Sequence, residues 1–132
     1  KKGVIVNISS IYGISGADQR IYGSSKLNSP VSYATSKGGI VNLTKYLAAY
    51  WHSKNVRVNT LTLGGVQDNS YQNKEFIKNY SKKTILGRMA KKEDYKGAIL
   101  FLISDASSYM TGSNLIIDGG WTAWWIRFYN LR

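Results

Sequence analysis

The 132-residue chain has no cysteine, one histidine and one proline. Without cysteine there are no disulfides and no thiolate metal sites, and His52 alone builds no histidine cluster, so no metal centre is expected. Acidic residues are also scarce: 7 Asp plus Glu stand against 18 Lys plus Arg, a formal net charge of +11. That excess favours anionic ligands where it gathers on one face, but here it is spread as pairs such as Lys82-Lys83 and Lys91-Lys92. No zinc-finger spacing or RNA-binding aromatic motif accompanies it, so no nucleic-acid partner is expected. No run approaches the roughly 20 apolar residues that span a bilayer, and the first residues lack the apolar core and cleavage site of a secretory leader. These absences predict a protein of a reducing compartment, the cytoplasm, with no membrane partner.

What remains is patterned. Residues 3–10 form a nearly continuous apolar run, as a parallel strand covered on both faces requires, and the backbone turns after Ser9-Ser10. Residues 14–29 are polar and glycine-containing and read as a long loop; loops of that size in compact domains are usually functional. Pro30 precedes a segment, 31–52, in which Ile40, Leu43, Leu47 and Tyr50 recur at three- and four-residue steps, predicting a long helix. Gly38-Gly39 cost that helix about 1 kcal/mol each, so something is expected to approach them closely. Residues 55–61 alternate as a strand and run into Gly64-Gly65. A short helix over 73–80, a firmer one over 92–104 and a strand over 115–117 complete an α/β alternation. The tail 121–132 holds three of the four tryptophans, suited to core packing or a subunit contact.

The strongest chemical signal is Ser10 followed by Tyr33 and Lys37. In a helix, Tyr33 and Lys37 share one face. An ammonium there favours phenolate over phenol, which suits a tyrosine that exchanges a proton with an alcohol or carbonyl oxygen. Ser10 ends a parallel strand, where open α/β sheets place their ligands, and its hydroxyl would reach the same oxygen. A Tyr-x-x-x-Lys pair also occurs on ordinary surface helices, so the pair gains meaning only from its surroundings.

Those surroundings are Asn7-Ile-Ser-Ser10 with Gly13, Tyr33-Ala-Thr-Ser-Lys37, Arg57-Val-Asn59 before Gly64, Gly87-Arg88, Tyr109-Met-Thr-Gly112 and Asp118-Gly119-Gly120. In this order they resemble successive motifs of the classical short-chain dehydrogenase/reductase family, from Gly3 to about Gly120. The resemblance implies NAD or NADP as cofactor, Tyr33 as acid/base, Lys37 on the nicotinamide ribose and Ser10 on the substrate oxygen. It implies cofactor contacts from Tyr33, Lys37, Leu63, Gly64, Gly65, Val66 and Asp68, and substrate-side contacts from Ser10, Ile11, Tyr12 and Gly65. A homodimer or homotetramer is the expected assembly, and a small molecule, an acidic sugar derivative among the candidates, the expected substrate.

Three departures shape the remaining expectations. Ser10 and Tyr33 are 23 positions apart, about ten more than is usual, so residues 14–29 hold an insertion, expected to form a substrate-side lid. The insertion and the Gly-Gly-Val loop resemble bacterial reductases of flagellin modification and nonulosonic-acid biosynthesis. Asp68 replaces a cofactor-contacting threonine, and its carboxylate would repel a pyrophosphate. Finally, no Gly-x-x-x-Gly-x-Gly turn follows a first strand. The expected fold is therefore the C-terminal part of a doubly wound, Rossmann-type parallel sheet, a partial domain over 1–132 lacking the N-terminal dinucleotide-binding half. On that view the main cofactor-binding segment is absent and the isolated chain inactive, with a non-catalytic scaffold as the alternative function.

Overall fold

The computed structural model describes residues 2–25 and 27–124. Three parallel strands, β1 (Gly3–Ser10), β2 (Val56–Leu63) and β3 (Asn114–Ile117), form one sheet in the order β1-β2-β3. Ser10 pairs with Leu63 at the carboxyl end of the first ladder, and Leu63 pairs with Ile117 in the second. Helix α1 (Val31–Tyr50) connects β1 to β2, while α2 (Lys74–Ser81) and α3 (Lys96–Ile103) lie between β2 and β3. The helix anticipated over 92–104 begins as a 3-10 turn, Lys92–Tyr95, before α3.

Hydrogen bonds identify which helix covers which face. Thr60 donates to Thr44 of α1 at 2.7 Å, and Asn7, its partner across the ladder, donates to the same oxygen at 2.8 Å. Successive strand side chains point to opposite faces, and Arg57 accordingly reaches the other helix. Its guanidinium donates to the carbonyls of Leu102, Ser104 and Met110 at 3.0–3.2 Å, satisfying the carboxyl end of α3. With helices on both faces, β2 is buried from Val58 through Thr62.

Helix α1 forms where its periodicity predicts, but of the periodic positions only Ile40 and Leu47 are half-buried. Leu43 and Tyr50 are 46% and 65% exposed, and Tyr50 stacks on Tyr46 at 5.8 Å along the outer face. The sheet side is lined by Ala34, Gly38, Val41, Thr44 and Ala48. Small residues win there because one oxygen, Thr44 Oγ1, must come close enough to receive two donors from the strands.

The insertion is packed rather than open. It contains a kinked 3-10 segment, Gln19–Ser25, with Gly23 at φ +54°. Ile21 is buried in a cluster with Ile11, Tyr80, Met89 and Trp121. Tyr22 lies against Phe76 of α2, Ser24 donates to Glu75 through both its amide and hydroxyl, and Asp18 pairs with Lys83. Apolar residues scattered without a period through a polar stretch gave little sign of this docking. Of the tryptophan-rich tail, Trp121 and Trp124 are described; the expectation for the rest lies outside the described residues.

These features correct the expectation of half a fold. The described residues form a Rossmann-like α/β core with its own parallel sheet, helices on both faces and a cleft at the carboxyl strand ends. That expectation rested on the absent Gly-x-x-x-Gly-x-Gly turn, whereas the crossover helices here already cover both faces of the sheet. Among the described residues, no helix is long and apolar enough to cross a membrane.

Candidate active site

A cavity of about 430 Å³ opens where β1 and β2 end. Ser10, Ile11, Tyr12, Tyr33, Lys37, Leu63, Gly64, Gly65 and Val66 all line it, so residues anticipated from three separate stretches meet in one place. Asp68 is the exception. It stands outside the lining, and its carboxylate accepts the amide and hydroxyl of Ser70 at 2.9 and 2.6 Å. The Ser70 hydroxyl bond, with the backbone bond beside it, holds the Asp68 carboxyl below the usual range. Asp68 therefore shapes its own turn.

The Ser10 hydroxyl sits at the end of β1, 9% exposed, and accepts the Tyr12 amide at 3.2 Å. That bond occupies a lone pair and leaves the hydroxyl proton available to an oxygen in the cavity. The neighbouring Ser9 hydroxyl donates to the Lys37 carbonyl at 2.7 Å, and the Lys37 ammonium donates to the Ile8 carbonyl at 3.2 Å. Helix and strand are thus stitched together on both sides of the lysine. The ammonium also lies 5.7 Å from the centre of the Tyr33 ring. Gly13 makes this approach possible: a β-carbon there would stand 2.5 Å from the Lys37 carbonyl carbon. Gly38 faces Gly13 in turn, whereas Gly39 meets nothing within 4 Å, so only one of the paired glycines has the close neighbour expected.

The 64–68 loop is held from three directions. Gly65 accepts Ala90 and Gln67 donates to Ala90, extending the strand pattern past β2. Gln72 accepts the Asp68 amide and donates to the Val66 carbonyl, both at 2.9 Å. The Gly65 amide donates to the Tyr80 hydroxyl.

Tyr22, Asn28 and Ser29 line the cavity from the insertion, whereas Tyr71, Gln72, Phe76, Tyr80 and Met89 escaped the sequence reading. Part of this wall had a readable signal. Asn73 caps α2 by accepting the Phe76 amide at 2.7 Å, and Phe76 and Tyr80 then fall four residues apart on one helix face. Burial pushes the Tyr12 and Tyr80 hydroxyls well above the usual phenol range. Both remain protonated at neutral pH.

The family model described as enoyl-(acyl carrier protein) reductase matches residues 1–122. Among curated proteins, the chain is 38% identical over 119 residues to post-translational flagellin modification protein A of Campylobacter coli. That match covers 90% of this chain and 46% of the relative. It is 36% identical to the NADH-dependent L-xylulose reductase of Ambrosiozyma monospora, covering 85% and 46%. Among solved structures, a short-chain dehydrogenase from Leptospira borgpetersenii with bound NAD+ matches at 51% identity and a TM-score of 0.85. This match covers 92% of the chain and 45% of that structure. The chain spans about half the length of the curated relatives it matches. The match of nearly the whole chain to an NAD+-bound dehydrogenase contradicts the expectation that the principal cofactor-binding segment is absent. The fold, the order of motifs and the matched model agree: this chain belongs to the short-chain dehydrogenase/reductase family.

Proposed function

We propose that this protein interconverts an alcohol and a ketone by NAD(P)-dependent hydride transfer, on a substrate of the sugar or sugar-nucleotide class. The observation that carries the reading is the meeting of Ser10, Tyr33 and Lys37 in one cavity at the carboxyl end of a parallel sheet. The donor set suits a nicotinamide nucleotide. Ile8, Leu63 and Val66 offer apolar surface, and the Lys37 ammonium keeps donors to spare beyond its bond to Ile8. Residues Tyr33, Lys37, Leu63, Gly64, Gly65 and Val66 would hold it. When bound, the dinucleotide supplies or accepts the hydride.

In the reducing direction, the Tyr33 hydroxyl gives its proton to the substrate oxygen, and in the oxidising direction it takes that proton back. The Ser10 hydroxyl donates to the same oxygen and fixes its orientation. The Lys37 ammonium stabilises negative charge that develops on Tyr33. The remaining wall favours an oxygenated ring: Tyr22, Tyr71 and Phe76 present flat aromatic surface, and Asn28, Ser29 and Gln72 add polar groups. The similarity to an L-xylulose reductase supports the same class.

The test is a panel of hydroxy- and keto-sugars, each followed by NADH oxidation or NAD+ reduction and repeated with NADPH and NADP+. Turnover of at least one sugar is expected. Lys37→Ala should lose both turnover and dinucleotide affinity. A Lys37→Ala variant that keeps both at parental levels would defeat the assignment.

A further inference from the structure

We propose that Trp121 is a positioning residue for this centre, acting through Tyr80 on the Gly65 amide and through Tyr12 on the Ser10 turn. The inference rests on the dinucleotide-dependent reading of the cavity given above. Trp121 does not line the cavity. Its indole lies against the Tyr80 ring, centroids 4.3 Å apart and planes tilted by 31°, and meets Tyr12 edge-on at 6.4 Å. These two neighbours reach two different stretches of the cavity lining. Tyr12 donates its amide to the Ser10 hydroxyl, and the Tyr80 hydroxyl accepts the Gly65 amide.

The Gly65 contact leaves little latitude. A β-carbon on Gly65 would stand 2.6 Å from the Tyr80 ring, so the loop backbone rests flat against that side chain. If Tyr80 tilts, the loop moves. Trp121 is well suited to prevent tilting because it is itself held from several directions. Asp118 turns the chain by accepting the amides of Gly120 and Thr122, both at 2.8 Å. The Lys83 ammonium, paired with Asp18 of the insertion, lies 5.2 Å from the indole centre. The indole is 8% exposed, and Ile11, Ile21 and Met89 complete its surroundings. The segment after β3 therefore joins the Ser10 turn, the insertion, α2 and the Gly65 loop at one side chain.

Three variants separate this from ordinary core packing. Tyr80→Phe removes only the hydroxyl and keeps the stack. Trp121→Leu keeps apolar volume and removes the aromatic face, and Trp121→Phe restores a face. We expect Tyr80→Phe and Trp121→Leu to speed hydrogen exchange at the Gly65 amide about tenfold and to weaken NADH or NADPH binding by calorimetry about five- to tenfold, as loss of one such bond implies. Trp121→Phe should recover most of both. Should Trp121→Leu fail to fold, Trp121→Met, which also removes the aromatic face, takes its place, with the same outcomes expected. Parental exchange and parental affinity would overturn the proposal, and so would faster exchange with unchanged affinity. A parent protein that binds neither dinucleotide would instead sink the functional reading, and this inference with it.

Discussion

At the scale of single residues, Gly13, which packs against α1, and Gly39, within it, differ in what surrounds them. Gly13→Ala would set a methyl group against the Lys37 backbone, which cannot move aside as a flexible side chain could. We expect a loss of about 1–3 kcal/mol in stability and reduced turnover, because the strain falls between Ser10 and Lys37. Gly39→Ala meets open space in the middle of a helix and should stabilise by roughly 0.5–1 kcal/mol. Thermal denaturation of the two variants checks both signs. Equal effects would show that the Gly13 contact is not restrictive. The sequence indicated a close approach to this helix without indicating which glycine received it, because that depends on the rotation of α1 over the sheet.

Asp18 sets a pH dependence at the same scale. The Arg20 hydrogen bond, followed by that of Lys83, holds its carboxyl well below the usual carboxylate range, against burial that pushes it up. A depressed folded value means the stabilisation is present above the unfolded carboxylate pKa, near 4, and is lost as pH falls through the folded value. The contact between the insertion and Lys83 should therefore hold at pH 6 and weaken progressively below about pH 4. Hydrogen exchange across residues 18–25 at pH 6 and pH 3 would register this. Asp18→Asn should abolish the dependence, and an Asp18→Asn variant with the parental pH profile would show that other groups control the segment.

At the scale of elements, the sheet is joined to α1 by a polar contact. Thr44 Oγ1 accepts from Asn7 and Thr60 and donates to the Ile40 carbonyl at 3.0 Å, fully buried. Thr44→Val keeps the shape and removes the acceptor, stranding two donors. Unsatisfied buried groups cost about 1–3 kcal/mol each, so a net loss of about 2–3 kcal/mol in denaturant unfolding is expected. A change within 0.5 kcal/mol would show that the donors find other partners. The strands and helices themselves were legible, since hydrophobic periodicity requires only local order. Which face of α1 was buried was not, because Leu43 and Tyr50 satisfy the same spacing as the stripe that meets the sheet. The insertion was located by counting from Ser10 to Tyr33, but its docking onto α2 depends on Ile21, Tyr22 and Ser24 meeting a helix some fifty residues later. Shortening residues 18–29 removes Tyr22, Asn28 and Ser29 from the cavity wall. It should change preference among sugars more than dinucleotide affinity; an unchanged substrate profile would reduce the segment to tolerated surface.

For the molecule as a whole, one topological fact places the chemistry. Parallel strands all end on the same side, so β1 brings Ser10, β2 brings Leu63 and Gly64, and the start of α1 brings Tyr33 and Lys37 to one rim. The motif residues were readable because each is local; their convergence follows from the parallel order. What escaped was the far wall from α2 and the insertion, together with the indole behind it, since aromatic contacts between distant segments leave no short pattern. The most direct measurement is turnover of Tyr33→Phe at saturating substrate, alongside its dinucleotide affinity. The proton-transfer role predicts a fall of roughly 100-fold or more in turnover with folding and dinucleotide affinity preserved. Turnover close to that of the parent would contradict it.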